Sequence, residues 1–217
     1  MASIITDAFT DAATTVLASH TADSGHGYTQ AAGAATQMEI DSTGGRIQKF
    51  SGSDRAIYYS SAAPADPEYD ISADIIQPSG TSGQIGVTAR HLASVITETR
   101  YDFRYHRGGP NWRLHKYVFG TDTTLSTYSQ TITAGVAYRL LAQVRDAAKK
   151  LFVDTVERIS SSDNVITAAN RIGVSGFSSD LIRLDNLDSD DLVAGGSVLD
   201  ERSMPRGVAR GVMRGVA

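Results

Sequence analysis

Period-two alternation through the middle of the chain constrains the fold more than any other feature. In EYDISADII (68–76), Tyr69, Ile71, Ala73 and Ile75 alternate with Glu68, Asp70, Ser72 and Asp74. Successive side chains of a strand point to opposite faces, so this segment predicts a half-buried strand with one wet face. TRYDFRYH (99–106) repeats the pattern, with Tyr101, Phe103 and Tyr105 opposing Arg100, Asp102, Arg104 and His106. NWRLHKYVF (111–119) sets Trp112, Leu114 and Lys116 against Arg113, His115 and Tyr117, so both its faces are mixed. AYRLLAQVR (137–145) and KKLFVDTVER (149–158) are rich in β-formers. With TQMEI, GRIQKF, RAIYYS, QIGVTAR, RIGVSGF and LIRLDNL they make about a dozen short strands, spaced as in a sandwich or barrel.

The breaks carry turn chemistry. SGTSG (79–83), RGGP (107–110) and SSSDN (160–164) supply Gly, Pro, Asn and Ser where the chain must reverse, and RDAAKK predicts a tight hairpin. One helix is a candidate, DAFTDAATTVLASH (7–20), with Phe9, Ala12, Ala13 and Val16 at helical spacing. Its threonines are poor helix formers and weigh against it.

Composition excludes several classes. The 217 residues include no cysteine, which removes disulfides, thiolate zinc sites and cysteine nucleophiles. No apolar run approaches the roughly 18 residues of a membrane helix. The opening MASIITDAFTDAATT has no basic stretch before an apolar core, so no secretory signal is expected. The net charge is −4. Arg202, Arg206, Arg210 and Arg214 fall in the last 16 residues, where no acid occurs. Setting those four aside leaves 16 basic against 24 acidic side chains. An acidic body argues against nucleic acid, whose phosphates need clustered Lys and Arg.

The C-terminus differs in kind. RGVARGVMRGVA repeats RGV every four residues, and each glycine costs a free helix about 1 kcal/mol. The reading is a β domain over 1–192 and a short irregular or helical docking tail over 193–217. Arg202, Arg206, Arg210 and Arg214 would give charge-assisted hydrogen bonds to an acidic partner. Val208, Val212 and Met213 would give apolar contact.

Candidate sites are sparse. Glu68 and Asp70 share a strand face two residues apart, which suits the carboxylate spacing of about 5–5.5 Å in retaining glycosidases. Asp74 lies on the same side, and a solvated strand face has the same appearance, which is the reading preferred. There is no G-x-S-x-G elbow. His20 and His26, in SHTADSGHG, read as a surface loop. His106 and His115 flank the RGGP turn and read as exposed sheet residues able to face each other across a hairpin. A sugar would need an aromatic platform beside polar groups, for which Trp112, Tyr105 and Tyr117 are the candidates. Trp112 fits a buried anchor better than an exposed tip.

The succession DPEYDISADI, IGVTAR, YDFRYH, NWRLHKY, AYRLLAQVRDAAKKLFVD and RIGVSGFSSDLIRLDNL resembles the concanavalin A-like jelly-roll superfamily. Within it, the likeness is to laminin-G-like domains of phage and bacterial proteins, over roughly residues 35–190. The resemblance implies an all-β, two-sheet antiparallel jelly-roll sandwich with its first and last strands side by side. It also implies a structural calcium held by Asp185 on the last strand, with Asn186 beside it, and no other cofactor. The function it implies is a non-enzymatic structural virion protein: a capsid decoration, fibre or tail component. Its partners would be other virion proteins such as the major capsid protein, and it would be a homo-oligomer located on the virion. The alternative is a carbohydrate-binding adhesin or receptor-binding module for a host glycan, with a glycoside hydrolase behind it. Neither nucleic acid nor a membrane is an expected partner.

Overall fold

The computed structural model describes residues 3–192 other than 13, 34–36, 42–44, 52–54, 79–82, 93–97, 169 and 178–181. The described residues form two antiparallel sheets, their strands numbered here in chain order. The first sheet runs β13 (Val156–Ser162), β12 (Ala148–Val153), β11 (Ala137–Val144), β6 (Tyr69–Ile76), β15 (Arg183–Asp191), β4 (Ile47–Lys49) and β3 (Met38–Ile40). In it β1 (Ser3–Asp7) also pairs with β15, Asp7 opposite Leu187, so the two ends of the domain lie side by side. The second sheet runs β10 (Thr121–Ser129), β9 (Asn111–Val118), β8 (Arg100–His106), β7 (Gln84–His91), β14 (Arg171–Phe177), β5 (Arg55–Ser60) and β2 (Tyr28–Ala32). This is the expected jelly-roll sandwich.

Alternation decides which side chains meet between the sheets. β6 turns Tyr69, Ile71, Ala73 and Ile75 inward, and its neighbour β11 adds Leu140, Ala142 and Val144. Facing them are Val87, Phe103, Tyr105, Trp112, Leu114 and Val174 of the second sheet. Burial of apolar surface at about 25 cal/mol per Å² makes this layer the main stabilising contact. The Trp112 ring packs tilted against Tyr105, centroids 4.9 Å apart, and its Nε1 donates to Gln130 Oε1 at 2.8 Å. That bond satisfies the one polar atom this ring brings into the core.

Glycine is obligatory at two strand positions. A Cβ on Gly86 would collide with the Phe103 carbonyl, and one on Gly173 with the Tyr58 carbonyl. Both residues lie in the middle of the second sheet, opposite Arg104 and Thr88 respectively.

Three local expectations need correction. The segment 7–20 is not a helix: a single 3-10 turn, Leu17–Ser19, is present. Phe9 and Thr14 have positive φ (49° and 67°), and the backbone of Thr14 and Thr15 hydrogen-bonds to Ile40 instead. Pairing with β3 satisfies the threonine backbone while burying Phe9 and Leu17, which a surface helix would not do. The segment 149–158 is not one strand. Asp154 and Thr155, both at positive φ, turn it into the β12–β13 hairpin. Finally, β10 was not anticipated, because its Thr- and Ser-rich sequence lacks an apolar face. The tail 193–217, with Arg202, Arg206, Val208, Arg210, Val212, Met213 and Arg214, lies outside the described residues.

Candidate functional site

The outer face of the second sheet carries a row of buried, mutually paired charged side chains. Strand parity brings them together. Tyr101, Phe103 and Tyr105 of β8 point into the core, so Arg100, Asp102, Arg104 and His106 point out. Cross-strand partners share a face, which adds Tyr117, His115, Arg113 and Asn111 of β9, opposite them in that order. Thr88, Gly86 and Gln84 of β7 extend the face on the other side, followed by Ser175 and Phe177 of β14.

These outward groups are nevertheless shut away from water. Arg100 and Asp102 are 0% exposed, and Arg104 and His115 are each 3% exposed. Buried charges require partners, and the row supplies them. Asp102 faces Arg104 Nη1 at 3.1 Å and Arg100 Nη2 at 3.7 Å, and accepts from Ser175 Oγ at 2.8 Å. Arg100 Nη1 meets Glu98 at 2.5 Å, and Glu98 meets Arg55 at 2.7 Å. Arg104 Nη1 also donates to the Tyr117 hydroxyl at 3.1 Å, which donates to Asp122 at 3.0 Å. Asp122 in turn holds His115 Nδ1 at 2.8 Å. The two guanidiniums lie over aromatic rings, Arg100 at 3.9 Å from the Tyr117 centroid and Arg104 at 4.2 Å from that of Phe177. Such stacking suits the flat, weakly hydrated guanidinium.

The network sets protonation states. Burial, then the Asp102 charge, pushes the Tyr117 phenol up to about 12, so it remains a neutral donor. Burial and the Arg104 charge pull His115 below the usual histidine range. Burial, then Arg113, Arg104 and His115, lower His106 to about 4, so its ring is neutral near pH 7. Burial works against the Asp122 charge, but the His115 hydrogen bond and charge, with other contacts, hold its carboxyl below the usual range. Several buried polar atoms of the row have no hydrogen-bond partner among the described residues: Arg104 Nε, His106 Nδ1, His115 Nε2 and Gln84 Oε1. Beside the row, Arg55, Glu98, Gly120 and Gln30–Gly33 line an open pocket of about 500 Å³.

The residues singled out from sequence fall in different places. Tyr117 belongs to the row. Trp112 and Tyr105 point into the core from the same sheet and are fully buried, so neither ring can stack on a sugar. His115 is buried in the row and not exposed as expected, while His106 is at its edge. His20 is no surface-loop residue. It is buried against Asp7, with Asp11 on its other nitrogen at 2.7 Å. His26 is half-buried and its Nδ1 lies 3.3 Å from Ser61 Oγ. Glu68, Asp70 and Asp74 are committed to structural partners: the Asp146 amide at 3.0 Å, Arg145 at 2.6 Å and Arg139 at 3.2 Å.

Asp185, the expected calcium ligand, accepts a hydrogen bond from the Asn186 amide at 2.7 Å. No group of three His, Cys, Asp or Glu able to hold a metal occurs among the described residues. Asp185 has the Arg46 guanidinium at 3.7 Å, where a hard cation would need another oxygen, and burial raises its carboxyl. Arg183 pairs with Asp41, at 2.7 Å, and not with Asp185.

Sequence reading missed the row because it separated Arg100, Asp102 and Arg104 from Ser175 and Asp122, which only sheet order assembles. The alternating charges of RYDFRYH were the available signal.

No protein-family model matches the sequence, and no curated protein matches it. Solved structures do share the architecture. The carbohydrate-binding module CBM66 from Bacillus subtilis aligns with a TM-score of 0.62 at 16% identity, over 76% of this chain and 95% of that one. A Bacillus subtilis protein of unknown function with a galectin-like fold aligns at 0.64 and 7% identity, over 88% and 96%. The carbohydrate recognition domain of Emp46p, in its potassium-bound form, aligns at 0.59 and 11% identity, over 83% and 96%. What the chain shares with these structures is the two-sheet β-sandwich fold.

Proposed function

We propose that the protein is a carbohydrate-binding module that takes a glycan on the outer face of its second sheet. The observation that carries this reading is the half-buried end of the row, His106, Asn111 and Arg113, beside the unpartnered Arg104 Nε and His106 Nδ1. Sugars present closely spaced hydroxyls, and a surface that binds them needs fixed polar groups at matching spacing beside aromatic area. Here β-strand geometry holds the polar groups, and Asp102, Ser175, Tyr117 and Asp122 lock their orientation. Preorganisation lowers the ordering cost of binding. The neighbouring folds support the reading, since CBM66 is a carbohydrate-binding module and the Emp46p fragment a carbohydrate recognition domain.

No catalysis is proposed. Glu68 and Asp70 are engaged outside this face, and Asp102 is held between two guanidiniums. A glycan array probed with the full chain tests the reading. His106→Ala and Asn111→Ala should each reduce binding about ten-fold, with little change in thermal midpoint. An array without signal would overturn it.

A place on a phage particle is compatible with glycan binding and is a separate proposal, resting on the resemblance and on the tail. Truncation before Met204 should then leave glycan binding intact and abolish incorporation into particles.

A further inference from the structure

The turn Arg107–Pro110 closes one end of the row. A Cβ placed on its Gly109 would lie 3.6 Å from His106 Nδ1, 3.6 Å from Asn111 Nδ2 and 3.7 Å from Arg113 Nη2. Three nitrogens therefore lie within 3.7 Å of one point beside Gly109. All three can donate. Asn111 Oδ1 already accepts from Arg113 Nε at 2.6 Å, which leaves the amide nitrogen for another partner. His106 Nδ1 is buried with no hydrogen-bond partner among the described residues.

Positive charge predominates at this corner, with Asp122 the acid that acts on Arg113. Arg113 stands directly opposite Arg104 in the β8–β9 register. Like charges in a directly opposed cross-strand pair repel. Arg104 has Asp102 at 3.1 Å, whereas Arg113 hydrogen-bonds a neutral amide. The corner thus concentrates donors and positive charge around one point.

We propose that this corner is an anion subsite that takes the carboxylate of an acidic saccharide. Arg113 and Asn111 hold the carboxylate oxygens, His106 donates from Nδ1, and Arg104 adds charge from the neighbouring strand. A planar guanidinium matches a planar carboxylate better than it matches a lone hydroxyl. The inference rests on the glycan-binding reading and adds the class of sugar.

Titration calorimetry of the full chain compares a galacturonate trisaccharide with the uncharged galactose trisaccharide. The acidic sugar should bind about ten-fold more tightly or better, as a charge-assisted hydrogen bond predicts. Added salt should shrink the difference. Arg113→Gln should remove the preference, and Arg113→Lys should restore part of it. Should Arg113→Gln fail to fold, Asn111→Asp replaces a donor by a like charge at constant size and should abolish acidic binding. Equal affinity for the two sugars overturns the subsite and leaves the glycan-binding face standing. An acidic preference that survives both Arg113→Gln and Asn111→Asp overturns its placement here. Binding of neither sugar, with a blank glycan array, overturns both readings.

Discussion

His20 Nε2 lies 2.8 Å from Asp7 Oδ2, and neither side chain reaches solvent. Asp11 takes the other ring nitrogen at 2.7 Å, and Tyr28 donates to Asp7 at 2.7 Å. Burial is the largest influence and opposes the imidazolium, but the combined hydrogen bonds and charges of Asp7 and Asp11 outweigh it and raise the pKa above 6.5. A group raised on folding stabilises fully below its unfolded pKa and loses that contribution as pH climbs through the folded one. Stability from this site should therefore be complete below pH 6.5 and decline above it. Urea titrations across that range should show the decline in the wild type and a flatter profile in His20→Gln.

His91 should act with the opposite sign. Burial, then the Arg100 charge, lowers its pKa to about 3. Its contribution is present above 6.5 and is lost as pH falls toward 3. His91→Gln should lose less stability than the wild type over that acid limb, measured by the shift in urea midpoint.

Trp112 is the single tryptophan and points away from the proposed binding face. Its emission should be that of a buried indole and should not shift when glycan binds. Trp112→Ala should cost about 3–5 kcal/mol by leaving a cavity beside Tyr105. A ligand-induced spectral shift would place the sugar on the other side of the sheet.

Asp102→Asn leaves two buried guanidiniums with less counter-charge. Breaking a buried pair in this way costs about 3–5 kcal/mol, so the thermal midpoint should fall markedly. Ser175→Ala removes one hydrogen bond to the same carboxylate and should cost about 1 kcal/mol.

Gly86→Ala should destabilise by about 1–3 kcal/mol or more, since the new methyl meets the Phe103 carbonyl and Arg104 backbone in paired strands that cannot separate cheaply. Denaturant unfolding checks this, with Gly120→Ala, in open space but at positive φ, as a milder comparison.

Legibility followed chain-local information. YDISADII shows its strand because four inward apolar residues alternate with polar ones, and the structure buries Tyr69, Ile71, Ala73 and Ile75. Thr121–Ser129 carries no such alternation. It is a strand because β9 offers it hydrogen-bond partners along its length. Residues 7–20 show apolar spacing compatible with a helix, and pairing with β3 overrode that weak preference. At the site, the polar parity of Arg100, Asp102 and Arg104 was visible. Their burial was not, because it depends on Glu98, Ser175, Tyr117 and Phe177 arriving from other segments.

Sequence by itself determined that this chain forms the short strands of a sandwich or barrel, through period-two patterning that leaves a strand one face to bury. It also determined which side of β6 and of β8 is polar, since parity is a local property. Tertiary structure alone decided that the polar side of one sheet becomes an interlocked charged row and that His106, Asn111 and Arg113 converge beside Gly109. The physical reason is that strand order and register are set by long-range pairing, and no stretch of chain encodes its partners alone.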